Sequence, residues 1–172
     1  MKRTEISKIF SEGAVSDGES VVVSGWVKTS RESKNIGFIE LNDGSCFKNL
    51  QIIVEASKLD NFKEIANSPV GTALVVNGIV VLTPNAKQPL EINAVSVVVE
   101  GTCAPDYPLQ KKRHSLEFLR TIPHLRARTN TYMAAFKVRS EAAFAIHSYF
   151  NSNGFVYVHT PLLAELRLKA TS

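Results

Sequence analysis

The chain has 172 residues, 44% of them hydrophobic and 21% charged, a balance that fits one full globular domain and part of a second. No window approaches the ~18 consecutive apolar residues that a membrane-spanning helix needs, and MKRTEISKIF at the start lacks the apolar core of a secretory signal. The formal net charge of +4 is uneven: residues 1–104 carry 10 Lys/Arg against 12 Asp/Glu, and residues 105–172 carry 10 against 4.

Taken in chain order, the first hundred residues read as β structure. After the turn signal SDGES comes a valine-rich strand, Val21–Val27, then a polar stretch that reads as a loop, then an alternating strand, Gly37–Asn42. Successive side chains point to opposite faces of a strand. If Ile39 and Leu41 build the core, Phe38 and Glu40 face outward. Leu50–Val54 is the third strand and Leu59–Ala66 a short helix; Ala73–Leu82 and Ile92–Val99 are further strands rich in Val and Ile. The breaks coincide with DGS, NSPVG and TPNAKQP. The resulting fold class is mainly β, in the order β-β-β-α-β-β of a five-stranded OB-fold barrel. Gly25, in mid-strand, is where such a barrel bends or bulges.

Residues 105–128 read as a hinge with Pro105, Pro108 and Pro123 and a short helix at Leu116–Thr121. A long helix is expected over Asn130–Ser152, with Thr129 or Asn130 at its start and Asn153-Gly154 at its end. Tyr132, Phe136, Ala143, Ile146 and Phe150 form one stripe on it, which calls for a partner surface. Phe155–Thr160 reads as a strand stopped by Pro161.

Two chemistries are legible. An OB-fold offers the face of its second and third strands to single-stranded nucleic acid. Phe38 and Gln51 stand on that face, with Arg31 in the approach to it. A base can stack on the ring and the amide can pair with a base edge; the alternative is that Phe38 packs under a loop or the N-terminal segment. The basic run Lys111, Lys112, Arg113, Arg120, Arg126, Arg128, Lys137 and Arg139, opposed only by Glu117, is either a phosphate-binding surface or a solvated face. Trp26 is expected on the outer barrel surface and Ile53 under the helix. The two cysteines, 57 residues apart, read as free thiols of a reducing cytoplasm. The four histidines show no metal spacing, and no nucleotide-loop or hydrolase motif is present. No catalytic residues and no metal site are expected.

VVSGWVKTSRESKNIGFIELNDG followed by NLQIIV resembles the anticodon-binding OB domain of the aspartyl, asparaginyl and lysyl class II aminoacyl-tRNA synthetases. The hinge containing EFLRTIPHLRART is similar to that of the bacterial asparaginyl enzymes, and NSNGFVYVHTPLL resembles class II motif 1. The resemblance implies an OB domain over 1–104, a hinge over 105–128, the first helix and strand of a catalytic domain over 129–163, and a tail at 164–172 unlike the family. It implies that Phe38 stacks on an anticodon base, that Gln51 reads the central uridine, and that Arg31 and Glu91 contact the anticodon. From the basic run, on charge alone, Lys111, Lys112 and Arg113 are the expected contacts to the tRNA backbone. Phe136, Phe150 and Pro161 would lie in a motif 1 homodimer interface. The family reaction is ATP- and Mg2+-dependent attachment of asparagine to its tRNA. Motifs 2 and 3 do not follow Leu163, so this chain alone is expected to be inactive and to need no cofactor. A general single-strand-binding OB protein, and a motif 1 subunit that pairs with an intact synthetase, are the competing readings.

Overall fold

The computed structural model describes residues 2–86 and 88–160. They form two compact units, and the chain passes from the first to the second between Arg128 and Thr129.

The first unit is a closed barrel with strand order β1-β2-β3-β5-β4, made of β1 (Ser20–Ser33), β2 (Ile36–Asn42), β3 (Leu50–Glu55), β4 (Ala73–Leu82) and β5 (Leu90–Gly101). Val23, Val27, Ile39, Leu41, Leu50, Ile52, Val54, Leu74, Val76 and Ile92 fill its interior at 0–1% exposure. These are the alternate positions of each strand, so the period-2 pattern specifies the inner face. β3 and β5 run parallel, Ile52 beside Ile92, and this pairing closes the cylinder; the other ladders are antiparallel. Closure leaves no long unpaired edge. The α2 helix (Phe62–Ala66) buries Phe62, Ile65 and Ala66 in the same core.

β1 is longer than its valine run. Its first part pairs with β4 and its second with β2, and Trp26 pairs with both. The polar stretch that reads as a loop is therefore strand as far as Ser33. Its residues lack apolar alternation because this end of the ladder is not covered, and backbone hydrogen bonds to β2 hold it. Gly25 sits where β1 changes neighbours: a Cβ there would lie 2.7 Å from the Asn42 carbonyl oxygen. The irregularity expected near Gly25 falls at Lys28, between Val27 and Thr29. Trp26 is exposed, on the outer surface as expected.

The helix expected over Leu59–Ala66 starts later, at Phe62, after a turn. The opening segment, which carries no clear sequence signal, forms α1 (Ile6–Ile9), whose Ile6 and Ile9 enter the core at 0% and 1% exposure. A four-residue helix is not stable on its own; side chains from the β2–β3 loop hold it. The Ile6 N–H donates to Asp43 Oδ2 at 2.9 Å and the Ser7 N–H to Ser45 Oγ at 2.9 Å. After β5 the irregular chain buries Leu109, and α3 (Leu116–Thr121) buries Leu119. Ser115 caps α3 by accepting from the Phe118 N–H. Cys46 and Cys103 are free thiols, both half-buried.

The second unit begins with α4 (Asn130–Ser152), which has the expected span. Thr129 takes the N-cap position, and Gly154 leaves the helix end at φ +84°. Phe136, Ile146 and Phe150 of the stripe are exposed, but so are Phe144 and Tyr149, which lie off it; the apolar surface of α4 is broader than one stripe. Residues 155–160 are not a strand. A strand needs a neighbour for its N–H and C=O groups, and none of the described residues supplies a ladder there. Pro161 and residues 162–172 lie outside the described residues.

Candidate nucleic-acid interface

The outward positions of β1, β2, β3 and β5 form two rows across the barrel. In one, Thr29, Glu40 and Gln51 are successive partners; in the other, Arg31, Phe38, Ile53 and Asn93 are. Thr29, Arg31, Phe38, Ile39, Glu40, Gln51 and Lys111 line a groove of about 180 Å³. Phe38, Gln51 and Arg31 of the expected site thus come together, and Glu91 joins them by accepting a 3.1 Å hydrogen bond from Gln51 Nε2.

The Phe38 ring is half-buried rather than bare. The Arg31 guanidinium lies 5.0 Å from its centroid, within cation–π range. Ile53 stands beside Phe38 on the same face, opposite it in the β2–β3 ladder. Asn49 Nδ2 donates to Glu40 Oε2 at 3.1 Å, which ties that carboxylate to the β2–β3 loop. The groove offers a ring for stacking, an amide with donor and acceptor edges, two cations and a carboxylate. That set suits an unpaired nucleotide: the base for the ring and amide, the phosphate for the cations.

Of the expected backbone-contacting residues, Lys111 reaches the groove; Lys112 and Arg113 are exposed and do not line it. Lys28 donates to the Arg128 carbonyl at 3.2 Å, and Arg128 donates to the Tyr107 hydroxyl at 3.2 Å. Burial, and secondarily the Arg128 charge, push the Lys28 pKa down. Phe136 and Phe150 lie on α4 in the second unit. Among the described residues no group of three or more His, Cys, Asp or Glu could hold a metal ion, and no helix is long and apolar enough to cross a membrane.

Sequence reasoning missed Thr29, Glu40 and the place of Lys111. Glu40 was within reach, because it lies two residues from Phe38 on one strand and so shares its outward face. Thr29 was hidden in a stretch that reads as loop. Lys111 is 60 residues from Gln51, and only packing brings the two to one groove.

Residues 21–100 match the OB-fold nucleic acid binding domain, and residues 115–172 match the tRNA synthetases class II (D, K and N). The asparagine–tRNA ligase of Acetivibrio thermocellus is 56% identical over 163 residues, which is 95% of this chain and 35% of that protein. That of Clostridium tetani is 54% identical over the same shares. The asparaginyl-tRNA synthetase of Pyrococcus horikoshii, solved with asparaginyl-adenylate, superposes with a TM-score of 0.81 at 21% identity, over 94% of this chain and 37% of that one; at this identity the likeness speaks for the fold.

The chain belongs to the class II tRNA synthetases of the D, K and N group, and its barrel is their OB-fold nucleic-acid-binding domain. Within that group it corresponds to the N-terminal part of the asparagine–tRNA ligases, with the barrel as the anticodon-binding domain. It spans about a third of the length of the relatives it matches.

Proposed function

We propose that the groove on β1, β2 and β3 receives the anticodon of asparagine tRNA. The observation that carries this reading is the convergence of Phe38, Arg31 and Gln51, from three strands, on one groove. Phe38 is the stacking platform, and Arg31 is held against it to meet base and phosphate together. Gln51 pairs with the edge of the central uridine. Lys111 answers a phosphate at the rim, and Lys112 and Arg113 extend that charge beyond the groove.

The parent reaction is attachment of asparagine to its tRNA at the expense of ATP, with Mg2+. Neither is assigned to this chain's side chains. The anticodon groove contributes substrate selection: it binds the tRNA at the end remote from the amino-acid attachment site. A homodimer through the apolar face of α4, with Phe136 and Phe150 in the contact, accounts for the large rings exposed there.

Titration of the chain with an asparagine anticodon stem-loop and with a loop of scrambled sequence tests the reading. The asparagine loop is expected to bind more tightly, and Phe38→Ala to weaken it by about 1–3 kcal/mol, the usual loss of one stacking platform. Equal affinity for both loops would favour a general single-strand binder. Equal affinity of Phe38→Ala and wild type would remove the stacking role.

A further inference from the structure

Gln51 is an ambiguous reader when considered alone. A primary amide carries a donor and an acceptor side by side, and rotation of the amide by half a turn exchanges them. Uracil presents an acceptor at O4 beside a donor at N3. Cytosine presents a donor at N4 beside an acceptor at N3. A freely turning glutamine satisfies either base, in opposite orientations, and discriminates poorly between them.

In this barrel the amide is not free to turn. Gln51 stands between β2 and β5, and the parallel β3–β5 pairing sets Glu91 beside it, 40 residues away in sequence. The Gln51–Glu91 hydrogen bond is 3.1 Å long. A carboxylate can only accept a hydrogen bond. The nitrogen of the amide must therefore face Glu91, and the oxygen must lie on the side away from it. No described cation forms an ion pair with Glu91 that would compete for its charge. A carboxylate acceptor makes this the stronger kind of hydrogen bond, and turning the amide over would set oxygen against oxygen.

We propose that Glu91 is a specificity-determining positioning residue: it locks one orientation of the Gln51 amide, so that the groove accepts uracil and rejects cytosine at the base Gln51 reads. This rests on Gln51 facing the central anticodon base. A base stacked on Phe38 and tethered through its ribose cannot turn over to compensate, so a locked amide is matched by one pyrimidine. The second N–H of Gln51 remains to donate to O4, and its oxygen accepts from N3–H. Glu91 discriminates without pairing with the base itself.

The test compares two anticodon stem-loop RNAs that differ only in U or C at the central position, titrated against the 172-residue chain and its variants. Wild type is expected to favour U by roughly tenfold to a hundredfold, the discrimination of one good two-point base contact. In Glu91→Gln the neighbour can donate or accept, so Gln51 can turn. The C loop should then bind more tightly than it binds wild type, and the preference should fall to about threefold or less, the scale of one orienting hydrogen bond. A gain in affinity for C is an outcome that simple loosening of the barrel would not produce. Glu91→Asp draws the carboxylate back by one methylene and should also lower the preference; it decides the matter if circular dichroism shows Glu91→Gln unfolded. Gln51→Ala separates the two levels of the argument. If Gln51→Ala keeps the full preference, the base is not read by Gln51, and the lock is overturned together with that reading. If Gln51→Ala abolishes the preference while both Glu91 variants keep it, the reading stands and the lock alone is overturned.

Discussion

Asp43→Asn perturbs a single buried carboxylate on which the N-terminal segment depends. The Asp43 side chain is fully buried. It accepts from the Ile6 N–H at 2.9 Å, the Ser45 N–H at 2.9 Å and the Ser45 hydroxyl at 2.6 Å, with Arg3 at 3.5 Å. Asparagine keeps the shape but replaces one oxygen by NH2. Its one oxygen can serve Ile6 or the Ser45 pair, not both, and its nitrogen then faces a donor. Hydrogen bonds to a charged group contribute about 1.5–3 kcal/mol each, and a buried donor left unpaired costs about 1–3; a net loss of about 2–4 kcal/mol is expected at neutral pH. Ile6 and Ile9, which α1 carries into the core, are the side chains set loose. Burial alone would raise the Asp43 pKa, but the Ser45 hydroxyl, the Ile6 and Ser45 amides and the Arg3 charge together bring it below the ordinary value. A depressed folded-state pKa stabilises the fold fully above the unfolded value of about 3.9 and loses that contribution as the pH falls through the folded value. The gap between wild type and Asp43→Asn should therefore be constant from neutral pH down to about 5 and close at lower pH. Urea denaturation at a series of pH values measures both quantities. A cost below about 0.5 kcal/mol at neutral pH, within the range of an ordinary surface substitution, would refute the capping argument. A gap that persists undiminished in acid would refute its electrostatic part.

Gly78→Ala would place a Cβ 2.7 Å from the Asn93 carbonyl oxygen and against Ile92 in the β4–β5 ladder, and should cost about 1–3 kcal/mol by overpacking; an unchanged Tm would count against that close approach. Replacing Lys111, Lys112 and Arg113 together by alanine should make the salt dependence of RNA binding shallower, by about 0.7 in log–log slope for each phosphate no longer neutralised. An unaltered slope would assign this run to a solvated surface. If α4 forms the dimer interface, Phe136→Ser with Phe150→Ser should lower the dimer fraction in sedimentation without changing the affinity of the barrel for RNA. An equal dimer fraction would move the interface elsewhere.

The period-2 pattern of the first hundred residues determined the strands and their inner faces, because a barrel core admits only apolar residues at alternate positions. Ala73–Leu82, Leu116–Thr121 and Asn130–Ser152 were legible with the bounds they have, since turn and cap residues delimit them. The outward placement of Phe38 and Gln51 followed from the same alternation. Thr29–Ser33 was not legible as strand: what holds it is backbone pairing with β2, which leaves no hydrophobic trace. Nor was α1, a helix too short to declare itself, fixed by Asp43 and Ser45 from nearly forty residues away. The Phe155–Thr160 segment shows the converse. Its residues read as strand, but a strand exists only where a neighbour completes its hydrogen bonds. The groove itself belongs to the tertiary structure. Closure of the barrel through the parallel β3–β5 pair brings Glu91 to Gln51, and packing of the chain after β5 brings Lys111 to the rim. A linear sequence supplies an amide, a carboxylate and a lysine, and only the fold decides which side of the amide faces the ligand.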